Sequence, residues 1–287
     1  MNAKESTTNT LAELGELKLT VWDKQFGRFI NLFEQIKHVD FSGQAAQDKF
    51  SLPDFRRNEL PRMKELSFHA REVVAGGIGS IGAGALAGVA AYGGATMFAS
   101  ASTGTAIAAL SGAAAKSATL AWFGGGALSA GGMGVAGGTL ILGGLVLGPV
   151  LAVGGIFLSA KARKNLADAK INYDKARVAG AEMDNATSIL KGIARVASAY
   201  QEIISTLDKS MDRVLDDLER LIGEKGTDYR CYSEVQKKNV WLSVQCAQAM
   251  KSLLEAKLLS DTGALLPSAQ DSLDQGKEMV KQLSFNG

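Results

Sequence analysis

Two stretches of this chain place apolar residues every three or four positions, and a third stretch between them has almost no polar rhythm. In the first, Trp22, Phe26, Phe29, Phe33 and Ile36 follow one another at spacings of 4, 3, 4 and 3. That is one apolar stripe on a helix. Core or partner packing is the commoner use of such a stripe, and a membrane-interface face is the other. Thr10 with Glu13 fits a capping box ahead of it, each side chain meeting an amide of the helix N-terminus. Ser51-Leu52-Pro53-Asp54 reads as a second helix start with Pro just inside. From there a helix runs through Leu60 and Leu66, with Pro61 as a predicted kink.

The second periodic stretch is longer. Met183, Ala186, Leu190, Ile193, Ala197, Tyr200, Ile204, Leu207, Met211, Val214, Leu218 and Leu221 alternate by 3 and 4 without a break. A heptad rhythm sustained this far predicts one long helix packed along a partner, within its own bundle or in an oligomer. Leu190, Ile193, Tyr200, Ile204, Leu207, Met211 and Leu218 form the seam. Gly223 and Gly226 are the predicted stop. A further helix from about Ser233 to Ser260 folds back on it, and Pro267 opens a shorter one holding Leu273, Val280 and Leu283.

Between these stretches, residues 73–160 carry one charged side chain, Lys116, and 23 of the 33 glycines. An uncharged run of this length is several times the roughly 20 residues that cross a bilayer as a helix. Arg62, Lys64 and Arg71 precede it, and Lys161, Arg163, Lys164 and Lys170 follow. Basic flanks at both ends suit an even number of crossings with both ends on the side of synthesis. Lys116 then marks a hairpin tip, because at the bilayer centre it would cost about 2.5–3.5 kcal/mol. The firmest span is Val135 to Leu158, with Val135, Leu140, Leu142, Leu145, Val146, Leu151, Ile156 and Leu158 facing lipid and Pro149 bending it. Gly76 to Ala99 is a weaker span, rich in Ala and Gly.

Glycine makes this run a poor helix in water, each one costing nearly 1 kcal/mol against Ala. In a bilayer the backbone must satisfy its own hydrogen bonds, so helix becomes favoured. Small residues four apart allow close helix contact, as at Gly84/Gly88, Gly134/Gly138 and Gly144/Gly148. The expected fold is all-α: an elongated helical bundle or coiled coil with a central Gly/Ala-rich hydrophobic helical hairpin. Its parts are amphipathic helices in 1–72, the hairpin in 73–160, and the long heptad helix with the C-terminal helices in 161–287.

Charge and candidate chemistry narrow the picture. The 31 basic and 29 acidic side chains nearly cancel, leaving no general pull on nucleic acid. Residues 1–10 lack a basic and then apolar leader, so synthesis in the cytosol and later membrane insertion are expected. Cys231 and Cys246 fall on one predicted helix and read as free buried thiols. Gly77-Ile78-Gly79-Ser80-Ile81-Gly82 matches a dinucleotide fingerprint, but the next acidic residue after Glu72 is Asp168, so the match is accidental. Ala115-Lys116-Ser117 lacks the glycine a phosphate loop needs before its lysine. His38 and His69 belong to no ligand cluster and read as ordinary helix-surface or packed histidines. No catalytic, cofactor or metal site emerges, and an enzyme is not expected.

Residues 103–115 (Thr-Gly-Thr-Ala-Ile-Ala-Ala-Leu-Ser-Gly-Ala-Ala-Ala) and 118–126 (Ala-Thr-Leu-Ala-Trp-Phe-Gly-Gly-Gly) resemble the glycine-rich hairpin of many bacterial proteins. That hairpin is similar in character to the membrane-inserting region of apolipoprotein L-like proteins. The resemblance covers about residues 73–165. It implies a protein that is soluble or peripheral when stored and later inserts into and permeabilises a bilayer. The expected partners are a lipid bilayer and further copies of the chain, with a regulatory protein as another candidate. Two settings fit: an intracellular effector on its own cell's membrane, as in antiphage defence, or an exported toxin. The competing expectation is a constitutive membrane-anchored scaffold whose heptad helix binds a partner without leakage.

Overall fold

The computed structural model describes residues 3–42, 59–78, 83–93, 166–260 and 263–285. All the regular elements among them are helical, with two isolated β-bridges, Lys37 with Asp228 and Leu259 with Leu265. Helix α1 (Ala3–Val21) passes through a π-helical turn (Trp22–Phe26) into α2 (Gly27–Phe33). Then come α3 (Leu60–Ala75), α4 (Ala83–Tyr92), α5 (Leu166–Lys225), α6 (Glu234–Glu255) and α7 (Pro267–Phe285).

The aromatic stripe is core. Trp22, Phe26, Phe29, Phe33 and Ile36 are all buried. The wide π turn keeps Trp22 and Phe26 on one side, with ring centroids 4.2 Å apart. Helix α3 packs on this turn, and Arg71 reaches Asp23 at 3.0 Å across the contact. Pro61 lies in the first turn of α3 and does not kink it. A first-turn proline loses no helical hydrogen bond, so the predicted kink becomes a helix start. Ser51 to Asp54 lies outside the described residues.

Helix α5 is the frame. Its 60 residues make it about 90 Å long, and α1, α6 and α7 all pack on it. Leu190, Ile193, Ala197, Tyr200, Ile204, Leu207, Met211, Leu218 and Leu221 are buried in the chain's own core. Two details of the stripe change. Leu215, not Val214, is the fully buried residue after Met211, because a 3.6-residue turn drifts against a 3.5 repeat. Met183 is 47% exposed, so the packed seam begins at Leu190. Gly226, with φ +80°, ends the helix as expected, while Gly223 stays inside it. Leu207→Ala should lower stability by about 2–5 kcal/mol in urea unfolding, since a wholly buried leucine leaves a cavity on removal.

Two further sequence readings shift. Helix α1 begins at Ala3, and the Thr10 hydroxyl donates to the Ser6 carbonyl at 3.0 Å inside the helix, so Thr10 is no cap. A tertiary contact reaches into this early turn: the buried Thr7 hydroxyl donates to Leu190 O at 3.1 Å. The genuine capping box is Ser233 with Gln236 at the start of α6. Cys231 is exposed in a short 3-10 turn (Tyr229–Cys231), whereas Cys246 is buried in α6, so the two thiols do not share a helix.

Candidate functional site

The uncharged run enters the described structure through the end of α3, a turn at Gly76 and Gly77, and α4. Alone in water, a ten-residue helix with two glycines would not hold. It persists because it is packed on α1. Leu86, Gly88, Ala90 and Ala91 are buried. Gly15 sits at a close crossing, where an added Cβ would fall on the Leu86 carbonyl, backbone against backbone. Gly84 and Gly88, the small-residue pair read from the sequence, lie on α4, while the close approach seen is that of Gly15 on α1 to the Leu86 backbone.

The far end of α4 is closed by groups from other elements. Leu258 and Leu259 both donate their amides to Ala91 O, at 2.8 and 3.0 Å. Gly93 follows the helix with φ +79°, and a Cβ there would meet the Glu255 carbonyl. Only glycine fits both the left-handed backbone and the approach. From α1 comes Lys18, wholly buried, whose Nζ donates to Ala90 O at 3.4 Å and Ala256 O at 3.2 Å. The Tyr200 ring lies 5.6 Å from the same Nζ, and the Tyr200 hydroxyl donates to Ala269 O at 2.6 Å. One ammonium thus joins α1, the root of the uncharged run, the loop after α6, and α5.

No carboxylate among the described residues lies within ion-pair distance of Lys18. Removing an ammonium from water costs several kcal/mol. Hydrogen bonds to a charged group return about 1.5–3 kcal/mol each, and here two neutral acceptors serve three donors. Burial wins: it pushes the Lys18 ammonium down from 10.5 to about 7. Two more buried polar atoms lack a hydrogen-bond partner among the described residues. One is Trp22 Nε1, a turn beyond Lys18; the other is Glu255 Oε1, beside Ala256. Each such group costs about 1–3 kcal/mol.

The sign of the pH effect follows. Unfolded, Lys18 keeps its proton to about pH 10.5; folded, it releases it near 7. Between these values the unfolded chain binds more protons, so stability rises with pH and is lost as pH falls toward 7. Below 7 both states are protonated and the penalty is constant. The urea midpoint should therefore rise from pH 7 to 8.5, and Lys18→Met should flatten that rise. Above about pH 9 the Cys246 thiol, pushed up to about 12 by burial, acts in the opposite sense.

Val135, Leu140, Leu142, Leu145, Val146, Leu151, Ile156, Leu158, Gly134, Gly138, Gly144, Gly148 and Lys116 lie outside the described residues. Among the described residues no helix is long and apolar enough to cross a membrane. None of their His, Cys, Asp and Glu side chains forms a group able to hold a metal ion. His38 sits 3.3 Å from Asp228, and His69 sits 3.2 Å from Glu72. Comparison with protein-family models, curated proteins and solved structures finds no match.

Lys18 was missed by periodicity, yet a signal existed. Leu11, Leu14, Lys18 and Trp22 share one phase, so the lysine sits where the stripe predicts an apolar residue.

Proposed function

We propose that this chain is a helical pore-forming or membrane-permeabilising protein that stores residues 73–160 against its own helices and later inserts them into a bilayer. The observation that carries the reading is α4. An uncharged helix at the root of the run is buried on α1, through a glycine crossing, beside a lysine that has two carbonyl acceptors and no carboxylate among the described residues. Such a contact holds an apolar segment out of water while leaving little to stop it exchanging protein for lipid. Burial of apolar surface contributes roughly 25 cal/mol per Å2 in either environment, so modest local terms decide which is preferred. The resemblance of residues 73–165 to apolipoprotein L-like hairpins supports the same reading.

In this reading the inserted part is a Gly/Ala-rich hairpin with Lys116 at its tip, and the rest an elongated bundle along α5. The buried seam on α5 serves the stored form. Assembly of several copies uses the small-residue pairs of 73–160. The protein starts in the cytosol and ends in a membrane, its own cell's in a defence role or a target cell's in a toxin role. No catalytic step and no cofactor enter.

Dye release from liposomes tests this directly. Purified protein should release an encapsulated dye and co-sediment with the vesicles. Binding without release under any condition would replace the pore by the anchored scaffold, in which 73–160 is only a tether.

A further inference from the structure

We propose that Lys18 is a built-in release element: its buried ammonium, with no carboxylate partner among the described residues, keeps the docked α4 metastable, so that the root of the uncharged run leaves its site readily. The proposal rests on the membrane-release reading and assigns its regulation to one side chain.

Three features place this role at Lys18. It lies where α1, the C-terminal end of α4 and the loop after α6 meet, one turn from the Gly15 crossing. A residue in phase with Leu14 and Trp22 would normally be apolar, and an apolar side chain would fill the site without desolvating a charge. The two acceptors are backbone carbonyls, Ala90 O being the longer contact at 3.4 Å. The last carbonyls of a helix do attract a cation. Here, however, the cation is wholly enclosed and lacks a third acceptor among the described residues.

Undocking α4 breaks the Leu258 and Leu259 bonds to Ala91 together with the long Lys18 bond to Ala90, and returns the ammonium to water. The first change opposes release and the second favours it. Without Lys18 only the opposing part would remain. Replacement of an underpaired buried charge by an apolar side chain of similar volume is often stabilising. Loss of the charge should therefore tighten the clasp, opposite to what removal of a simple latch would do.

The test uses the full chain with Lys18→Met, and Lys18→Gln as a second neutral variant that keeps a donor. Amide hydrogen exchange is followed in Ala83–Tyr92 and at Leu258 and Leu259, with Val244–Leu254 of α6 as reference. Protection in the first two regions should rise by about tenfold relative to the reference. Dye release from vesicles of equal parts phosphatidylcholine and phosphatidylglycerol should slow by a similar factor. Unchanged or faster exchange there, or an equal rise everywhere, overturns the proposal. So does failure of both variants to fold, since the ammonium would then be stabilising the core. Selective protection without leakage from any form upholds the release element and removes the pore reading. Leakage by wild type with unaltered exchange in the variants does the reverse.

Discussion

Gly15→Val is expected to detach α4 from α1 and raise the exposed population of the uncharged run about a hundredfold. The added Cβ alone would fall on the Leu86 carbonyl, which is backbone and cannot rotate away. Valine adds two methyl groups beyond it. Overpacking in a close helix crossing costs about 1–3 kcal/mol and occasionally more. At the upper end that is a hundredfold shift, and α4 yields first because its helix is weak by itself. Gly93→Ala attacks the other end of the same helix, combining a left-handed φ of +79° with a clash on the Glu255 carbonyl. Both variants should show faster exchange over Ala83–Tyr92 and faster dye release, with the α5 and α6 amides still protected. Wild-type exchange at α4 in Gly15→Val would mean that the crossing relaxes without undocking. Acceleration here and slowing in Lys18→Met would place opposite signs on two residues one turn apart, a result that general destabilisation does not produce.

The parts legible in the sequence are those where one physical term dominates. Trp22 to Ile36 repeats large aromatic residues at helical spacing, and such side chains have few places to go but a core. From Leu190 to Leu221 the rhythm of threes and fours allows one long helix and little else. Thr10 misled because a capping box also fits a helix interior, where threonine can bond its own i−4 carbonyl, and the contact of Thr7 with Leu190 reaches into the preceding turn. Helix α4 was legible as apolar but not as a packed unit. Alanine and glycine all round it give no face, so its docking depends on Gly15, which is 71 positions from Leu86. The phase of Lys18 with Leu14 and Trp22 was legible, but its burial and its partners were not. A lysine on a stripe ordinarily reads as a solvated edge, and only the folded arrangement places two carbonyls and a tyrosine ring around it.

A pair of arginines in the most lipophilic span should abolish permeabilisation while leaving the protein soluble. Leu142 and Val146 are four apart, so on a helix they share one face of the span assigned to 135–158. Each arginine near a bilayer centre costs about 2.5–3.5 kcal/mol, and the pair roughly 5–7 kcal/mol, which lowers the inserted population by about four orders of magnitude. Leu142 and Val146 lie outside the described residues, so α4 exchange is followed alongside dye release to separate a block to insertion from a change in the stored fold. Dye release should fall to background in Leu142→Arg/Val146→Arg, and a leucine-to-alanine, valine-to-alanine control should retain most of it. Leakage at the wild-type rate from the double arginine variant would move the membrane-crossing segment elsewhere in 73–160. Full leakage from a double variant with α4 also pinned, for instance by Lys18→Met, would detach pore formation from the uncharged run altogether. The two residues thus test the lipid end of the exchange and Lys18 the protein end, and the membrane reading requires the lipid end to control leakage.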